Sequence, residues 1–305
     1  MTEKQYLKNL DIPSGAVDVV LDTDAYNEID DQFAISYMIR YTERLNVKAI
    51  YAAPFYNSHS SSPEDGMEKS YDEIIKLLSL AGREDLVPVT FKGARGYLKD
   101  ENTAEESPAV DDLIRRARDY SPEAPLYVLA IGAITNVASA IIKAPDICEN
   151  IVVVFLGGHA IHYHHTAEFN MMQDVAAARV VYASPAPLVQ LPCMGVVSAF
   201  TVSAPELEYW LMGKGALSEY LAQNTINEAE TYAKGRVWTR VIWDVTTVAW
   251  LVNDNGRFLE SRIIDAPMPL YNNTYDLSYK GKKMRYVYNV HRDSLMRDLF
   301  ERIKD

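Results

Sequence analysis

Five carboxylates stand within ten residues of one another, directly after an apolar stretch that is typical of a strand. They are Asp22, Asp24, Glu28, Asp30 and Asp31. Because the acids repel one another and are partly desolvated at the mouth of a core, a bound cation would offset the cost of the cluster. Oxygen-rich clusters suit the hard ions Ca²⁺ and Mg²⁺, and this segment has no thiol or histidine pair that would favour zinc. The cluster therefore predicts a metal site.

A simpler interpretation is an acidic loop in which Asp30 caps a helix that starts at Asp31. That interpretation explains Asp30, but it leaves Asp22 and Asp24 at the strand end unexplained. Ligands in α/β proteins collect beyond the carboxyl ends of parallel strands, so the position of these two acids favours the metal site.

Composition excludes several classes of protein. The chain has 305 residues, is 48% hydrophobic and carries a net charge of −12, so a broad nucleic-acid surface is not expected. The basic segment 115–118 is interpreted as the solvated face of a helix.

Cys148 and Cys193 are far apart and match no motif, which favours reduced thiols in a cytoplasmic protein. The N-terminus lacks the features of a signal peptide, and no apolar run is long enough to span a membrane.

Strand-like and helix-like patterns alternate through the first two thirds of the chain. Strands are predicted at 17–21, 47–52, 87–90, 126–130, 151–156 and 187–191. Helices are predicted at 31–44, 68–80, 111–120, 136–143 and 175–183. This rhythm predicts an α/β fold with an open, mainly parallel, Rossmann-like sheet flanked by helices.

After Thr201 the pattern changes, and the prediction is of added C-terminal helices and strands. Helices are expected at 205–212, 217–234 and 245–253, strands at 258–264 and 284–290, and a closing helix from Asp293. The polar stretch 272–283 is interpreted as a hairpin or loop. No linker separates this part, so residues 1–305 are predicted to form a single domain.

Chemically useful residues follow several of the predicted strands. Asn57 follows the second strand, Thr135 and Asn136 follow the fourth, and Gly157-Gly158-His159 follows the fifth. Because the carboxyl ends of parallel strands meet at one edge, these segments are expected to converge with the acid cluster on one cleft.

An ordered set of motifs resembles the nucleoside hydrolases, the inosine-uridine-preferring N-ribohydrolase superfamily. The set comprises Asp22-Thr23-Asp24, Asp30-Asp31, residues 132–138, Gly157-Gly158, Glu168-Phe169-Asn170 and Trp243-Asp244. The order and spacing match from about residue 17 to about residue 252. No single motif is decisive, but the ordered set is highly specific.

The resemblance implies Ca²⁺-dependent hydrolysis of the N-glycosidic bond of a ribonucleoside to ribose and free base. The implied Ca²⁺ ligands are Asp24, Asp31, the backbone carbonyl of Thr135, and Asp244, with Asp24 also serving as general base for a metal-bound water. The implied ribose-binding residues are Asp30, Glu168, Asn170 and, on a looser match, Asn57. The family also implies a homodimer or homotetramer. The residues suit the chemistry on their own terms, because carboxylates around the sugar stabilise the cationic character of the transition state.

Two departures from the family pattern concern the substrate. Five residues separate Asp24 from Asp30 where the family has three, so Tyr26 or Glu28 could point into the site. Trp243 stands where many members have a histidine that protonates the leaving base. An indole there favours a stacked purine or another aromatic aglycone, while the simpler interpretation is that Trp243 packs the pocket wall.

Other candidates for contact with the base are His165, Tyr232 and Arg236. His165 belongs to the segment 162–165, which is interpreted either as a solvated loop or as the source of a proton donor at the pocket mouth. The segment lacks the spacing of cysteines and histidines that a zinc site requires. Tyr232 and Arg236, one helical turn apart, could face the base or form a surface pair.

Two other functions remain open alternatives. A haloacid-dehalogenase-type, Mg²⁺-dependent phosphatase also has a strand followed by Asp-x-Asp, but Lys143 is a poor match for its required lysine and the Glu168 motif would be unexplained. A non-catalytic nucleoside or sugar binder of the same fold is favoured only by the altered first loop, and the intact Asp24 argues against it. Nucleosides, modified nucleosides and ribosylated nicotinamide-type compounds all remain possible substrates.

Overall fold

A computed structural model describes residues 1–304 of the chain. Its main sheet has eight strands in the order β3-β2-β1-β4-β5-β6-β12-β9. The strands of this sheet are β1 (Val17–Thr23), β2 (Leu45–Ala52), β3 (Thr90–Lys92), β4 (Leu126–Ala130), β5 (Ile151–Leu156), β6 (Leu188–Leu191), β9 (Leu259–Asp265) and β12 (Lys283–Val290). All neighbours pair in parallel except β9, which runs antiparallel to β12 at the edge.

Helices cover both faces of the sheet and extend the C-terminal part. They are α1 (Glu3–Asn9), α2 (Asp30–Arg40), α3 (Pro63–Leu80), α4 (Pro108–Ala117), α5 (Thr135–Lys143), α6 (Phe169–Gln173), α7 (Val175–Ala183), α8 (Ala204–Trp210), α9 (Ala216–Ala233), α10 (Val245–Leu251) and α11 (Arg292–Ile303). Two small antiparallel pairs complete the elements, β7 (Thr201–Val202) with β8 (Arg240–Val241) and β10 (Met268–Pro269) with β11 (Tyr275–Asp276).

Side-chain alternation along the central strands builds one core on each face of the sheet. Val152 and Val154 of β5 belong to one buried cluster, whereas Val153 and Phe155 belong to the other. Successive residues of a strand point to opposite faces, so a strand covered on both sides must be apolar throughout. Every residue of β4 and β5 is buried, which confirms the two strands that the sequence predicts as central.

The predicted α/β fold is confirmed, and the differences are local. Most of the predicted strand 87–90 is a 3₁₀ helix, Glu84–Val89, and the strand follows it. Pro88 explains this difference because proline cannot donate to a sheet ladder. Helix α2 ends at Arg40 instead of continuing to 44. The short helices α1 and α6 have no counterpart in the sequence prediction.

Other predictions concern the polar C-terminal stretch, the cysteines and the membrane. Part of the stretch 272–283 is strand β11, which pairs with β10, so the hairpin interpretation is confirmed there. Cys148 and Cys193 are free and buried. None of the helices within residues 1–304 has both the length and the apolarity needed to cross a membrane.

Candidate active site

The acid cluster lies at the carboxyl edge of the sheet, where β1 is flanked by β2 and β4. Asp22 is in register with Tyr51 on one side and Ala130 on the other. The amide of Ile131 donates to the carbonyl of Asp22 at 2.8 Å. As a result, the loops that follow β2 and β4 leave the sheet on either side of Asp24.

Three carboxylates converge beside the end of β1. Asp30, Asp31 and Asp244 each offer an oxygen that lies within 4.8 Å of the other two, and they are the group of potential metal ligands found within residues 1–304. Asp31 also accepts a hydrogen bond from the hydroxyl of Thr23 at 2.5 Å. Acids from residues 30–31 and from residue 244 are thus brought together, as the sequence predicts.

Asp24 is fully buried next to this group. Neither of its carboxylate oxygens has a hydrogen-bond partner in the part of the chain that the structure describes, and the same holds for Oδ1 of Asp244. A Cβ built on Gly132 would lie 3.0 Å from Cγ of Asp24, so the loop that leads to Thr135 passes directly against the carboxylate. Thr135 itself is buried, and its hydroxyl donates to Asp174 at 2.7 Å.

Burial and mutual repulsion make this cluster costly when all of its members are ionised. Burial, followed by the charges of Asp31 and Asp30, holds the pKa of Asp24 well above its usual range. Burial, followed by Asp30, Asp31 and Asp24, does the same to the pKa of Asp244. Burial raises the pKa of Asp31 to about 7, although its hydrogen bonds with Thr23 and Asp244 act to lower that pKa.

The local backbone helps to hold these acids. Helix α2 begins at Asp30, α5 begins at Thr135, and α10 begins directly after Asp244. The N-terminus of a helix carries partial positive charge, which favours nearby carboxylates. The idea that Asp30 caps a helix starting at Asp31 is wrong, because α2 starts at Asp30 itself and its N-cap, Ile29, makes no side-chain cap bond.

The donor set fits a hard divalent cation. Buried carboxylate oxygens without hydrogen-bond donors are rare in native proteins and call for an explanation such as an ion. Here Asp24 and Asp244 provide such oxygens, and the adjoining Asp31 adds another carboxylate. An all-oxygen set of this kind matches Ca²⁺ or Mg²⁺ in preference to a soft metal.

A cavity of about 230 Å³ opens beside the acids, with Asp30, Asp31 and Asp244 on its wall. Glu168 and Asn170 also line this cavity. Glu28 and His159, which the sequence places near the cleft, line it as well. The other lining residues had no predicted role, namely Asn27, Ile131, Leu156, Ala167, Phe169, Cys193 and Met194.

Glu168 and Asn170 are both fixed by backbone groups. The Glu168 carboxylate accepts hydrogen bonds from the amides of Gly158 at 2.8 Å, Asn170 at 2.9 Å and Met171 at 3.0 Å. The Asn170 side-chain amide donates to the carbonyls of Ile131 and Leu156, each at 3.1 Å. Because both amide hydrogens are used in this way, the Asn170 carbonyl oxygen is the group left to accept from a ligand.

Two glycines after β5 allow the loop around Glu168 to pack against the C-terminal hairpin. Gly158 has φ +71°, and a Cβ on it would lie 2.2 Å from the Tyr275 hydroxyl. The side chain of Gln190 donates both to the carbonyl of Gly157, at 3.0 Å, and to the Tyr275 hydroxyl, at 2.7 Å. The hairpin that carries Tyr275 therefore supports the cavity wall from outside.

Trp243 and His159 form part of the remaining wall. Trp243 is half-buried and lines the cavity, one residue before Asp244. His159 is buried, and its Nδ1 accepts a hydrogen bond from the amide of Met194 at 3.3 Å. Burial, with a smaller contribution from His165, lowers the pKa of His159 to about 4. The ring is therefore neutral near neutral pH.

Six of the predicted site residues are absent from the cavity lining. Two of them, Asp24 and Thr135, are fully buried beside the acids, and the other four lie farther out. Nδ1 of His165 accepts from the amide of Ala167 at 3.2 Å, and Asn57 donates at 2.6 Å to Asn27, which does line the cavity. Tyr232 and Arg236 are exposed, and the Tyr232 hydroxyl accepts from Arg240 at 3.3 Å. Roles for these four residues in binding the substrate stay predictions.

The lining residues that had no assigned role differ in the sequence signals that mark them. Glu28 belongs to the longer first loop, and the structure places it on the cavity wall with Arg240 at 3.1 Å. His159 follows the Gly pair, which marks it as a site candidate. Cys193 is distant in sequence, and only the fold brings its amide to the carbonyl of Gly158 at 2.9 Å.

Comparisons with known proteins give matches that cover most of the chain. The family model described as inosine-uridine preferring nucleoside hydrolase matches residues 19–293. The pyrimidine-specific ribonucleoside hydrolase RihA of Citrobacter koseri is 26% identical over 263 residues, which cover 78% of this chain and 80% of that protein. A solved plant nucleoside hydrolase, PpNRh1, shares the fold with a TM-score of 0.73 at 18% identity, covering 94% of this chain and 99% of that one. The purine-preferring ribonucleoside hydrolase of Gardnerella vaginalis gives 0.72 at 20% identity, covering 94% and 98%.

Proposed function

The chain belongs to the inosine-uridine preferring nucleoside hydrolase family, and from this premise we propose that it hydrolyses the N-glycosidic bond of a ribonucleoside with Ca²⁺ as cofactor and Asp24 as general base. Its class is that of an N-glycosyl hydrolase. The proposal of a bound Ca²⁺ with Asp24 as base rests on one observation: Asp24 is fully buried, and its two carboxylate oxygens have no hydrogen-bond partner within residues 1–304.

Four groups are proposed to hold the cation: Asp24, Asp31, the backbone carbonyl of Thr135, and Asp244. When bound, Ca²⁺ would supply Lewis-acid stabilisation to the sugar hydroxyls and favour deprotonation of the attacking water. Asp30 lies close enough to Asp31 and Asp244 to be a metal ligand as well. Comparing the Ca²⁺ affinity of Asp30→Asn with that of Asp31→Asn tests whether Asp30 binds the ribose or the metal. The proposal expects the larger loss of affinity in Asp31→Asn.

The side chains of the cavity suit the remaining steps of the reaction. Cleavage of the C1′–N bond develops positive charge on the sugar ring, and the carboxylates of Asp30, Asp31 and Asp244 line the cavity where that charge would form. Asp24 would accept the proton of the attacking water. The Asn170 carbonyl oxygen and Asp30 would accept hydrogen bonds from ribose hydroxyls, with Glu168 fixing the wall beside them and Asn57 acting through Asn27.

Trp243 supports a preference for purines among neutral nucleosides. The indole lines the cavity next to Asp244, and a bicyclic base offers it more π-surface than a pyrimidine does. The names of similar proteins divide on this point. The Citrobacter koseri relative is called pyrimidine-specific, whereas the Gardnerella vaginalis protein is called purine-preferring. His165, Tyr232 and Arg236 remain further candidates for contact with the base if their segments move toward the cavity.

The test is a turnover screen of inosine, adenosine, guanosine, uridine and cytidine with Ca²⁺ present, measured by release of reducing sugar. Hydrolysis is expected, and Asp24→Ala is expected to lower kcat by about 10³ or more, because it removes both a ligand and the base. Asp119→Asn, which changes an exposed carboxylate on the surface, is the matched control. A non-catalytic binder would bind nucleosides without turnover in any variant. The oligomeric state and a cytoplasmic location stay predictions.

A further inference from the structure

We propose, on the basis of the function proposed above, that the preferred substrates are N-ribosides whose aglycone carries a fixed positive charge, such as an N-ribosylated pyridinium. The cavity wall combines several carboxylates and a flat aromatic ring, and neither His159 nor Cys193, its titratable groups other than carboxylates, is suited to protonating a neutral leaving base. This combination favours an aglycone that is attracted as a cation and departs as a neutral molecule.

The first observation is the charge of the wall. Five carboxylates line the cavity, and no lysine or arginine does among the residues that form it. The carboxylates are Glu28, Asp30, Asp31, Glu168 and Asp244. Even with one divalent cation bound, the negative charges outnumber the positive ones, so a cationic aglycone gains Coulomb attraction that a neutral base does not.

The guanidinium of Arg240 pairs with the wall residue Glu28 but does not itself line the cavity. Arg240 lies 3.1 Å from Glu28 and 3.2 Å from Glu228, and it is itself absent from the cavity lining. It also lies 3.3 Å from the Tyr232 hydroxyl. Glu28 faces the cavity, while Glu228 faces a neighbouring cavity that Glu28 also lines. Glu28 is therefore the carboxylate on the longer first loop that can act on a ligand, and Glu228 is its matched counterpart.

The second observation concerns proton donors. When a neutral base leaves, its nitrogen receives the bonding electrons and needs a proton for the departure to be easy. His159 is 7% exposed, and its Nδ1 already accepts the Met194 amide, so the ring is the neutral tautomer with the hydrogen on Nε2. A neutral imidazole is too weak an acid for this task. Cys193, the other titratable lining group apart from the carboxylates, is a buried thiol whose pKa burial raises.

A cationic aglycone removes the need for that donor. The C1′–N⁺ bond breaks and its electron pair passes to the ring nitrogen, which becomes neutral. The oxygen of the attacking water bonds to C1′, and the water proton passes to Asp24 and from there to solvent. The products are ribose and a neutral aromatic base, so charge and atoms balance without any further reactant.

Trp243 suits the same ligand. A positive charge over the face of an aromatic ring is attracted by its quadrupole, and tryptophan is the strongest of the side chains in this respect. The indole lines the cavity beside the acids, so one ring can contact both the planar surface and the charge of a pyridinium.

Three substrates separate the two parts of the proposal. Nicotinamide riboside is cationic and needs no proton, p-nitrophenyl β-D-ribofuranoside is neutral and also needs no proton, and inosine is neutral and needs one. With Ca²⁺ present, kcat/KM is expected to be at least about 100-fold higher for nicotinamide riboside than for inosine, with the nitrophenyl riboside between them.

Each other outcome has a definite meaning. Inosine hydrolysed as well as nicotinamide riboside would overturn the inference while leaving the proposed function intact. A nitrophenyl riboside as good as nicotinamide riboside would overturn the selection by charge. No hydrolysis of any of the three would overturn the proposed function itself.

Glu28→Gln supplies the matched test of the wall charge, with Glu228→Gln as its control. Glu28→Gln is expected to lower kcat/KM for nicotinamide riboside about ten-fold and to affect the nitrophenyl riboside much less, because only the cation loses an attractive charge. Glu228→Gln is expected to change the two substrates equally. Circular dichroism of both variants confirms folding. An equal loss on both substrates in Glu28→Gln would overturn the role of Glu28.

Discussion

Replacing Asp24 with asparagine is expected to stabilise the metal-free protein while abolishing its activity. The side chain is fully buried, neither oxygen has a hydrogen-bond partner within residues 1–304, and the charges of Asp31 and Asp30 oppose its ionisation. An unsatisfied buried polar group costs about 1–3 kcal/mol, and more when it is charged. An asparagine amide is neutral and can donate hydrogen bonds to the neighbouring carboxylates.

The free energy of unfolding of Asp24→Asn should therefore exceed that of the natural protein by about 1–3 kcal/mol in the presence of a chelator. For a chain of this size, such a gain corresponds to a rise in Tm of about 2–6 °C. The order should reverse when Ca²⁺ is added, because the cation stabilises only a protein that binds it. The assay is thermal unfolding with chelator and with excess Ca²⁺, with Asp119→Asn as the control for loss of an exposed charge. A Tm for Asp24→Asn below that of the natural protein in chelator would show that the buried Asp24 carboxylate does not destabilise the metal-free protein.

Three further predictions concern the base, the cavity wall and acid stability. Trp243→Ala should lower kcat/KM more for inosine than for uridine, since stacking contributes about 0.5–1.5 kcal/mol beyond burial; equal losses on both would mean that Trp243 only packs the wall. Tyr275→Phe leaves one donor of the Gln190 amide unsatisfied, so it should lower the free energy of unfolding by about 1–3 kcal/mol and raise KM more than it lowers kcat. Tyr288→Phe, at an exposed site, is the control, and unchanged stability and KM in Tyr275→Phe would contradict the prediction. Partial burial opposes ionisation of Glu206, but hydrogen bonds from Arg292 and Ser203 outweigh it and hold its pKa below the usual range. The stabilisation from Glu206 should therefore be complete above the pKa of the unfolded chain and disappear as the pH falls through the folded pKa, so the difference in unfolding free energy between the natural protein and Glu206→Gln should vanish in acid; a difference that persists would refute the assignment.

Local sequence patterns predict the sheet well because a strand covered on both faces must be apolar throughout. The bounds of β4 and β5 follow from that requirement alone. The patterns fail where backbone chemistry overrides side-chain polarity, as at Pro88, and where an element is too short to show a period, as in α6.

The acids of the site are predictable because they follow strands whose ends meet at one edge of the sheet. The cavity wall near Gly158 is not predictable in this way, because it depends on contacts between segments that are distant in sequence. The Cys193 amide reaches the carbonyl of Gly158, and Tyr275 packs against the same glycine. No local pattern encodes either contact. The first loop is longer than in the family, which makes Glu28 a candidate for the site. Only the fold shows that Glu28 lines the cavity and pairs with Arg240.

The proposed function requires that Ca²⁺ bound at the acid cluster supports hydrolysis. The decisive measurement is a titration of chelator-treated protein with Ca²⁺, following heat of binding and release of reducing sugar from a hydrolysed riboside in the same samples. We predict one Ca²⁺ per chain, with turnover rising in proportion to occupancy and neither signal appearing in Asp24→Asn. Full turnover in the presence of chelator, or Ca²⁺ binding that leaves turnover unchanged, would contradict this prediction.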